Sequence, residues 1–356
     1  MTDDLSPVNR LARLGLVGVI VGAVLVAFAY AAGWLTPGLL TPEGLVDTFE
    51  QVNGAHPGFR RNHAKGVSVS GTFESTGRAA ARSKAAVFQP GRIPVVGRFS
   101  LAGGNPNAVD SPDNVRALAI RFSLPDGEEW RIAMISLPVF PVRTPEAFRD
   151  QLVAMAADPR TGKPDPAKVQ AFLAAHPESA RALAVIKTEK LSSGFENTTY
   201  YGLNAFELVS SSGKSTPVRW SMVPLQPFAP AAASAPAGDP NFLFDALIAQ
   251  VERGPLQWRL VLTIGQPGDP TNDATIAWPA DREQIDAGTL TIDRIESDDS
   301  SPVRDITFDP LVLPDGITGS DDPLLSARSA TYSVSFTRRV GEPASPSAVP
   351  PSAIHP

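Results

Sequence analysis

Two short segments carry the residues best suited to chemistry. Near the C-terminus, Asp321-Asp322-Pro323 reads as a helix start, and Arg328 and Tyr332 follow four residues apart. That spacing puts them on one helical face. Taken alone, the pair can be a surface Arg stacked on a Tyr. A guanidinium within a few ångströms also favours phenolate over phenol, and phenolate is one of the side chains that ligate haem iron. Near the N-terminus, Arg60-Arg61-Asn62-His63-Ala64-Lys65-Gly66 places one imidazole in a basic loop. Such a loop in isolation is a solvated turn; in a closed site its imidazole is a proton carrier. The other histidines are isolated. His56 precedes Pro57 in a turn, His176 precedes Pro177 at a helix end, and His355 lies in the tail.

Composition narrows the alternatives. There are no cysteines, which excludes disulfides, thiolate catalysis and cysteine-held iron–sulfur clusters. Four scattered histidines do not make a multi-histidine metal site. With 31 Lys+Arg against 37 Asp+Glu the net charge is −6, which argues against a nucleic-acid partner. No strand leads into a GxGxxG or Walker loop, so nucleotide folds have no support.

The elements that must position these residues alternate in type. Thr41-Pro42-Glu43 opens a helix whose Leu45, Val46, Phe49 and Val52 recur at helical spacing to Gly54. Val67, Val69 and Phe73 share one side of a strand. Ala117–Leu124 and Glu129–Ser136 form a hairpin across Pro-Asp-Gly, and Tyr200–Val209 with Val218–Val223 another across Ser-Ser-Gly-Lys. Leu256–Ile264 is a further strand. Helices begin at Thr144-Pro145-Glu146, running to about Ala157, at Asp165-Pro166, and over Leu243–Arg253. The fold class predicted is α+β, an antiparallel sheet or barrel with helices inserted.

The chain divides into 1–13, a short N-terminus; 14–35, an apolar span; 41–342, one globular body; and 343–356, a Pro-rich tail expected to be disordered. Gln226–Pro240 reads as a surface loop within the body. Leu14–Leu35 contains no charge and is long enough to cross a bilayer as a helix. Arg10 and Arg13 precede it and no basic residue follows until Arg60. The positive-inside tendency therefore leaves the N-terminus cytoplasmic and the body extracytoplasmic, on the periplasmic side. Tyr30 and Trp34 suit the interface, and Gly18 and Gly22 are either a small-xxx-small contact or filler. An uncleaved anchor is favoured by length. A signal cleaved near Ala29-Tyr30-Ala31, giving a secreted or periplasmic form, is the alternative.

RNHAKGVSVSGTF, GRFS, PVF followed by Phe148, and LPDGITGSDDPLLSARSATYSVSFTRR together resemble the haem catalase superfamily, most closely its small branch, the catalase-related peroxidases. The resemblance spans roughly residues 45–340. It implies a catalase-like antiparallel β-barrel with surrounding helices and a haem b cofactor. It places His63 as the distal base acting on peroxide, with Ser100 holding its imidazole. Tyr332 falls on the axial iron ligand and Arg328 on the arginine that keeps it deprotonated. Arg60, Arg98 and Arg339 fall on propionate ligands, and Phe140 and Phe148 on aromatics of the distal face. One position departs: the family's usual Asn before P-x-F is Ile135 here. Ile donates no hydrogen bond, so weak oxygen evolution is expected. The implied activity is reduction of hydrogen peroxide or an organic peroxide by a small-molecule reductant. Lipid hydroperoxides as substrates, or a haem-binding module without turnover, are the alternatives. The donor and the oligomeric state are left open.

Overall fold

The computed structural model describes residues 7–31, 35, 39–236, 238–299 and 301–350. Among these residues ten strands follow in order: β1 (Gly66–Ser75), β2 (Gly91–Leu101), β3 (Arg116–Ser123), β4 (Glu129–Ile135), β5 (Tyr200–Tyr201), β6 (Phe206–Val209), β7 (Ser215–Pro224), β8 (Leu256–Ile264), β9 (Gln284–Glu296) and β10 (Ile317–Gly319). Eight of them close a ring, β1-β2-β3-β4-β5-β7-β8-β9, in which every pairing is antiparallel. β6 and β10 extend the sheet beyond β7. The helices are α1 (Pro7–Ala31), α2 (Pro42–Asn53), α3 (Pro145–Ala154), α4 (Pro166–Ala175), α5 (Pro177–Ile186), α6 (Phe242–Arg253) and α7 (Pro323–Val340).

Side chains fill the barrel. Phe122 stacks on Trp130 at 4.9 Å, and Trp130 meets Trp220 edge-on at 5.1 Å. Phe99 contacts Trp258 at 5.6 Å, and the buried Trp258 indole donates to the Thr198 carbonyl. A filled interior leaves no room for a ligand there. A site must use the outer face of the sheet, under helices.

Several elements differ from expectation. The strand expected over Tyr200–Val209 breaks into β5 and β6. Leu203 adopts φ 65°, and a Cβ on Gly202 would lie 2.5 Å from the Trp220 indole nitrogen. The chain therefore turns a corner between the strands and presents Asn204 to α7. α3 stops at Ala154, short of the expected Ala157. β2, β9 and α5 carry mixed or interrupted patterns; in β9, Gly288 fits beneath Phe73, where a Cβ would lie 2.4 Å from its ring. The Pro-rich tail is seated as far as Pro350. Ser345 Oγ donates to Pro57 O at 2.7 Å, Asp299 accepts from Ser347 N, and Val349 is buried. Residues 351–356, with His355, lie outside the described residues, as does Trp34. Within α1, Leu11–Tyr30 is apolar and long enough to cross a membrane, and none of it is buried in the body.

Candidate active site

α7 begins where Asp322 caps it, accepting from Leu324 N at 2.9 Å, with Pro323 at the first helical position. Ala327, Arg328, Thr331, Tyr332, Ser335, Phe336 and Arg339 follow at helical spacing, and all of them line one cavity. Arg328 is held by Asn204 Oδ1 at 2.5 Å and Ala133 O at 3.2 Å. Asn204 in turn donates to Asp322 Oδ2 at 2.8 Å. The helix cap thus also fixes the amide that fixes the arginine. The Tyr332 hydroxyl has no hydrogen-bond partner among the described residues.

The loop before β1 is clamped from several sides. His63 sits in the left-handed region at φ 58°, a strained conformation for a residue with a Cβ. Arg98 reaches across from β2 and donates to His63 O at 2.6 Å and Ala64 O at 3.0 Å. Gly66 makes that crossing possible, because a Cβ there would lie 2.6 Å from the Arg98 Cζ and 2.4 Å from Phe99 O. Asn62 Oδ1 accepts from His63 N at 3.0 Å and Gly103 N at 2.8 Å. Arg61 ties the loop to Glu50 of α2 and to Glu342 just beyond α7. The ring Nδ1 of His63 lies 3.4 Å from Ser100 Oγ.

Sheet register builds the opposite wall. Ser100, Ala117 and Ile135 form one row across β2, β3 and β4; Arg98, Ala119 and Ala133 form the next. These side chains alternate with the barrel-filling Phe99, Leu118 and Met134 and so face outward. The alanines make a low floor suited to a flat group. Phe148 packs on Phe140 at 5.5 Å and on Phe49 of α2 at 5.8 Å. The cavity measures about 340 Å³. All nine residues implicated by the sequence resemblance line it, as does Ile135.

Electrostatics mark the site as unusual. Burial, with the positive charges of Arg98, Arg328 and Arg60, lowers the His63 pKa to about 3, so its imidazole is neutral at physiological pH. Burial and the neighbouring Arg339 and Arg98 push Arg60 well below its ordinary value. Burial and Arg98 lower Arg339 to about 10. Burial opposes ionisation of Asp298, yet Arg98, Ser68 and Arg60 hold it below the usual carboxylate value. Asp298 pairs with Arg98 at 2.9 Å. Arg60 and Arg339 have no ion-pair partner among the described residues; they donate only to carbonyls of the 302–306 turn. Two guanidiniums, one buried and one half-buried, without ion-pair partners fit a ligand that brings two carboxylates, as haem does. A free phenol on one side and a neutral imidazole in the same cavity fit its iron.

Asn62, Asn204 and Asp298 were not singled out from sequence. Their partners lie up to 230 residues away, as with Ser68 and Asp298, so no local spacing announces them. His56 bonds the Asn53 carbonyl in its own turn, and His176 sits between Asp150 and Glu178 outside the cavity. No group of three or more metal-ligating side chains occurs among the described residues.

Comparison with known proteins places this geometry. The family model described as Catalase matches residues 29–347. A catalase-related peroxidase of Synechococcus elongatus is 39% identical over 301 residues, covering 84% of this chain and 89% of that protein. One of Mycolicibacterium paratuberculosis is 34% identical over 306 residues, covering 85% and 96%. The structure of a bacterial catalase superposes with a TM-score of 0.71 at 23% identity, covering 85% of this chain and 61% of that one, a likeness of fold.

The His63 shift has a measurable consequence. Its folded pKa lies below the ordinary 6.5, so the unfolded chain takes up the proton first. The stability this residue contributes is complete above about pH 6.5 and is lost as pH falls toward about 3. Urea unfolding of the chain with nothing bound should show His63→Gln losing less stability than the unmodified chain below pH 6.5. The expected difference is roughly 1.4 kcal/mol per pH unit. Parallel curves for the two proteins would show that His63 is not buried in neutral form.

Proposed function

The chain belongs to the catalase family, and from that premise we propose that it is a haem b peroxidase reducing hydrogen peroxide or an organic peroxide at the expense of a small electron donor. It is a peroxide-acting oxidoreductase of a haem-binding family. The observation that carries the finer reading is the one cavity in which an unpartnered phenol, a neutral imidazole and two arginines lacking ion-pair partners converge. The absence of cysteine excludes haem attached through a C-x-x-C-H segment, which favours non-covalent haem b.

When bound, haem supplies the redox-active iron at which the peroxide O–O bond is cleaved. The protein's own groups do the rest. Tyr332 would offer its phenol oxygen to the iron, with Arg328, fixed by Asn204, on the same face of α7. Arg60 and Arg339 would receive the two propionates, with Arg98, already engaged by Asp298 and the His63 and Ala64 carbonyls, adding its positive charge beside them. Phe140 and Phe148 would pack against the group and keep water from it. His63, neutral, accepts a proton from one peroxide oxygen and returns it to the leaving oxygen. Ser100 engages Nδ1 and leaves Nε2 for that task. Each turnover takes two electrons and two protons and gives water plus an alcohol, or two waters from hydrogen peroxide. Leu45 and Phe49 of α2 with Phe148 and Leu152 of α3 give the cavity an apolar flank, which favours organic peroxides, lipid hydroperoxides included, among its substrates.

Dismutation asks more of the site. A second peroxide must be held so that both of its hydrogens are directed, and Ile135 offers only an apolar wall. Little oxygen should evolve from hydrogen peroxide. We further read α1 as an uncleaved anchor that holds the haem domain on the periplasmic side; cleavage near Ala31 would instead release a soluble form.

Three expectations follow from these assignments. Tyr332→Ala should lose most haem, read as loss of the Soret band and iron content, while His63→Ala keeps haem and reacts with peroxide about 10²-fold more slowly or worse; a normal Soret band in the first, or a normal rate in the second, removes that role. Ile135→Asn should raise oxygen evolution, measured with an oxygen electrode, and vigorous evolution from the unmodified protein would show that position 135 does not limit it. Full-length protein should pellet with membranes and resist salt and alkaline extraction; recovery of a soluble form starting near Ala32 would favour cleavage.

A further inference from the structure

Position 135 lacks a hydrogen-bond donor, yet a peroxide beside a single base needs a second fixed point to be cleaved. Three asparagines line the cavity. Asn53 donates its amide to Phe49 O, and Asn204 donates to Asp322. Ser136 does not line the cavity, and its Oγ accepts from Arg116 N. Ser100 is engaged with His63. Asn62 differs from all of these. Its Oδ1 is pinned by two backbone N–H groups, His63 N at 3.0 Å and Gly103 N at 2.8 Å. Two bonds to one oxygen fix the amide plane and therefore where the NH2 points. That Nδ2 donates to nothing among the described residues, and it is not one of the fully buried atoms without a partner. It is an oriented, accessible donor on the residue next to His63.

We propose that Asn62 donates, through Nδ2, the hydrogen bond that holds peroxide beside His63, taking over part of the work that position 135 cannot do. The proposal rests on the peroxidase reading above. Its chemistry is asymmetric in a useful way. The imidazole accepts the proton from one oxygen while the amide grips an oxygen lone pair. One donor and one base suffice to place a peroxide for O–O cleavage. A second peroxide, which must direct both hydrogens, still lacks the grip that an Asn at 135 would add.

The holoprotein gives the test. Asn62→Ala and Asn62→Asp are compared with the unmodified chain for haem content, melting temperature, peroxide reaction rate and equilibrium binding of cyanide, a small ligand that also gives its proton to a base and accepts a hydrogen bond. Asp keeps the oxygen that caps His63 N and Gly103 N but drops the NH2. Both variants should keep their haem, bind cyanide about tenfold more weakly, and react with peroxide about 10²-fold more slowly. Ile135→Asn introduced into Asn62→Ala should recover at least tenfold of each loss without adding charge. Wild-type cyanide affinity and rate in Asn62→Asp would mean that the amide only caps the loop, and the proposal falls. Failure of Ile135→Asn to recover Asn62→Ala overturns it equally. If the unmodified chain takes up no haem, the peroxidase reading itself fails, an outcome the Soret band separates from the other two.

Discussion

The site depends on one electrostatic constraint, the crowding of Arg60, Arg98 and Arg339 around Asp298, with Asp305 near Arg339. The three guanidiniums, Arg98 and Arg339 buried and Arg60 half-buried, repel one another, and burial strips water that would screen them. Asp298 satisfies Arg98, and through Ser68 it is itself held to β1. Arg98 then spends its remaining donors on the carbonyls of His63 and Ala64. The same side chain therefore pairs with Asp298 and holds the imidazole loop in its strained turn. Arg60 and Arg339 are left with backbone carbonyls only. Supplying their counter-charges is the role the architecture leaves for a dicarboxylate ligand.

The closed barrel explains why this cluster forms outside it. Aromatic side chains fill the interior, so alternate residues of β2, β3 and β4 are free to serve a second surface. On that surface the sequence places small residues, Ala117, Ala119 and Ala133, between Ser100, Arg98 and Ile135. The helix α7 closes over them with its own polar stripe. Its aim is set far from the chemistry, by Asp322, which caps the helix with one oxygen and holds Asn204 with the other. A carboxylate that is structural at one end of the helix is thus a positioning group for Arg328.

Much of this was legible in the residues. Helix starts at Thr41-Pro42, Thr144-Pro145, Asp165-Pro166 and Asp322-Pro323 are marked by local capping chemistry, and all four helices form there. Hairpins with turn residues and clear alternation were readable for the same reason. β9 was not, because its pattern makes sense only against Phe73 of β1. The break between β5 and β6 was hidden too: nothing local in Tyr200–Val209 reveals that Gly202 must pass under Trp220. The tail's composition suggested disorder, yet contacts with Pro57 and Asp299 seat it to Pro350.

The sequence by itself determined the chemical types available: one phenol–guanidinium pair at helical spacing, one imidazole in a basic loop, no thiol, and an apolar N-terminal span. Those are set by residue identity and by spacings within a turn or two, which short-range geometry converts directly into shared faces. Only the tertiary structure decided which of them meet. Arg60 and Arg339 come together without ion-pair partners, His63 becomes neutral, and the Asn62 amide acquires its direction because strands and helices far apart in the chain close on one cavity. Burial and register, which are properties of the packed whole, supply the desolvation and the fixed angles that no local pattern encodes.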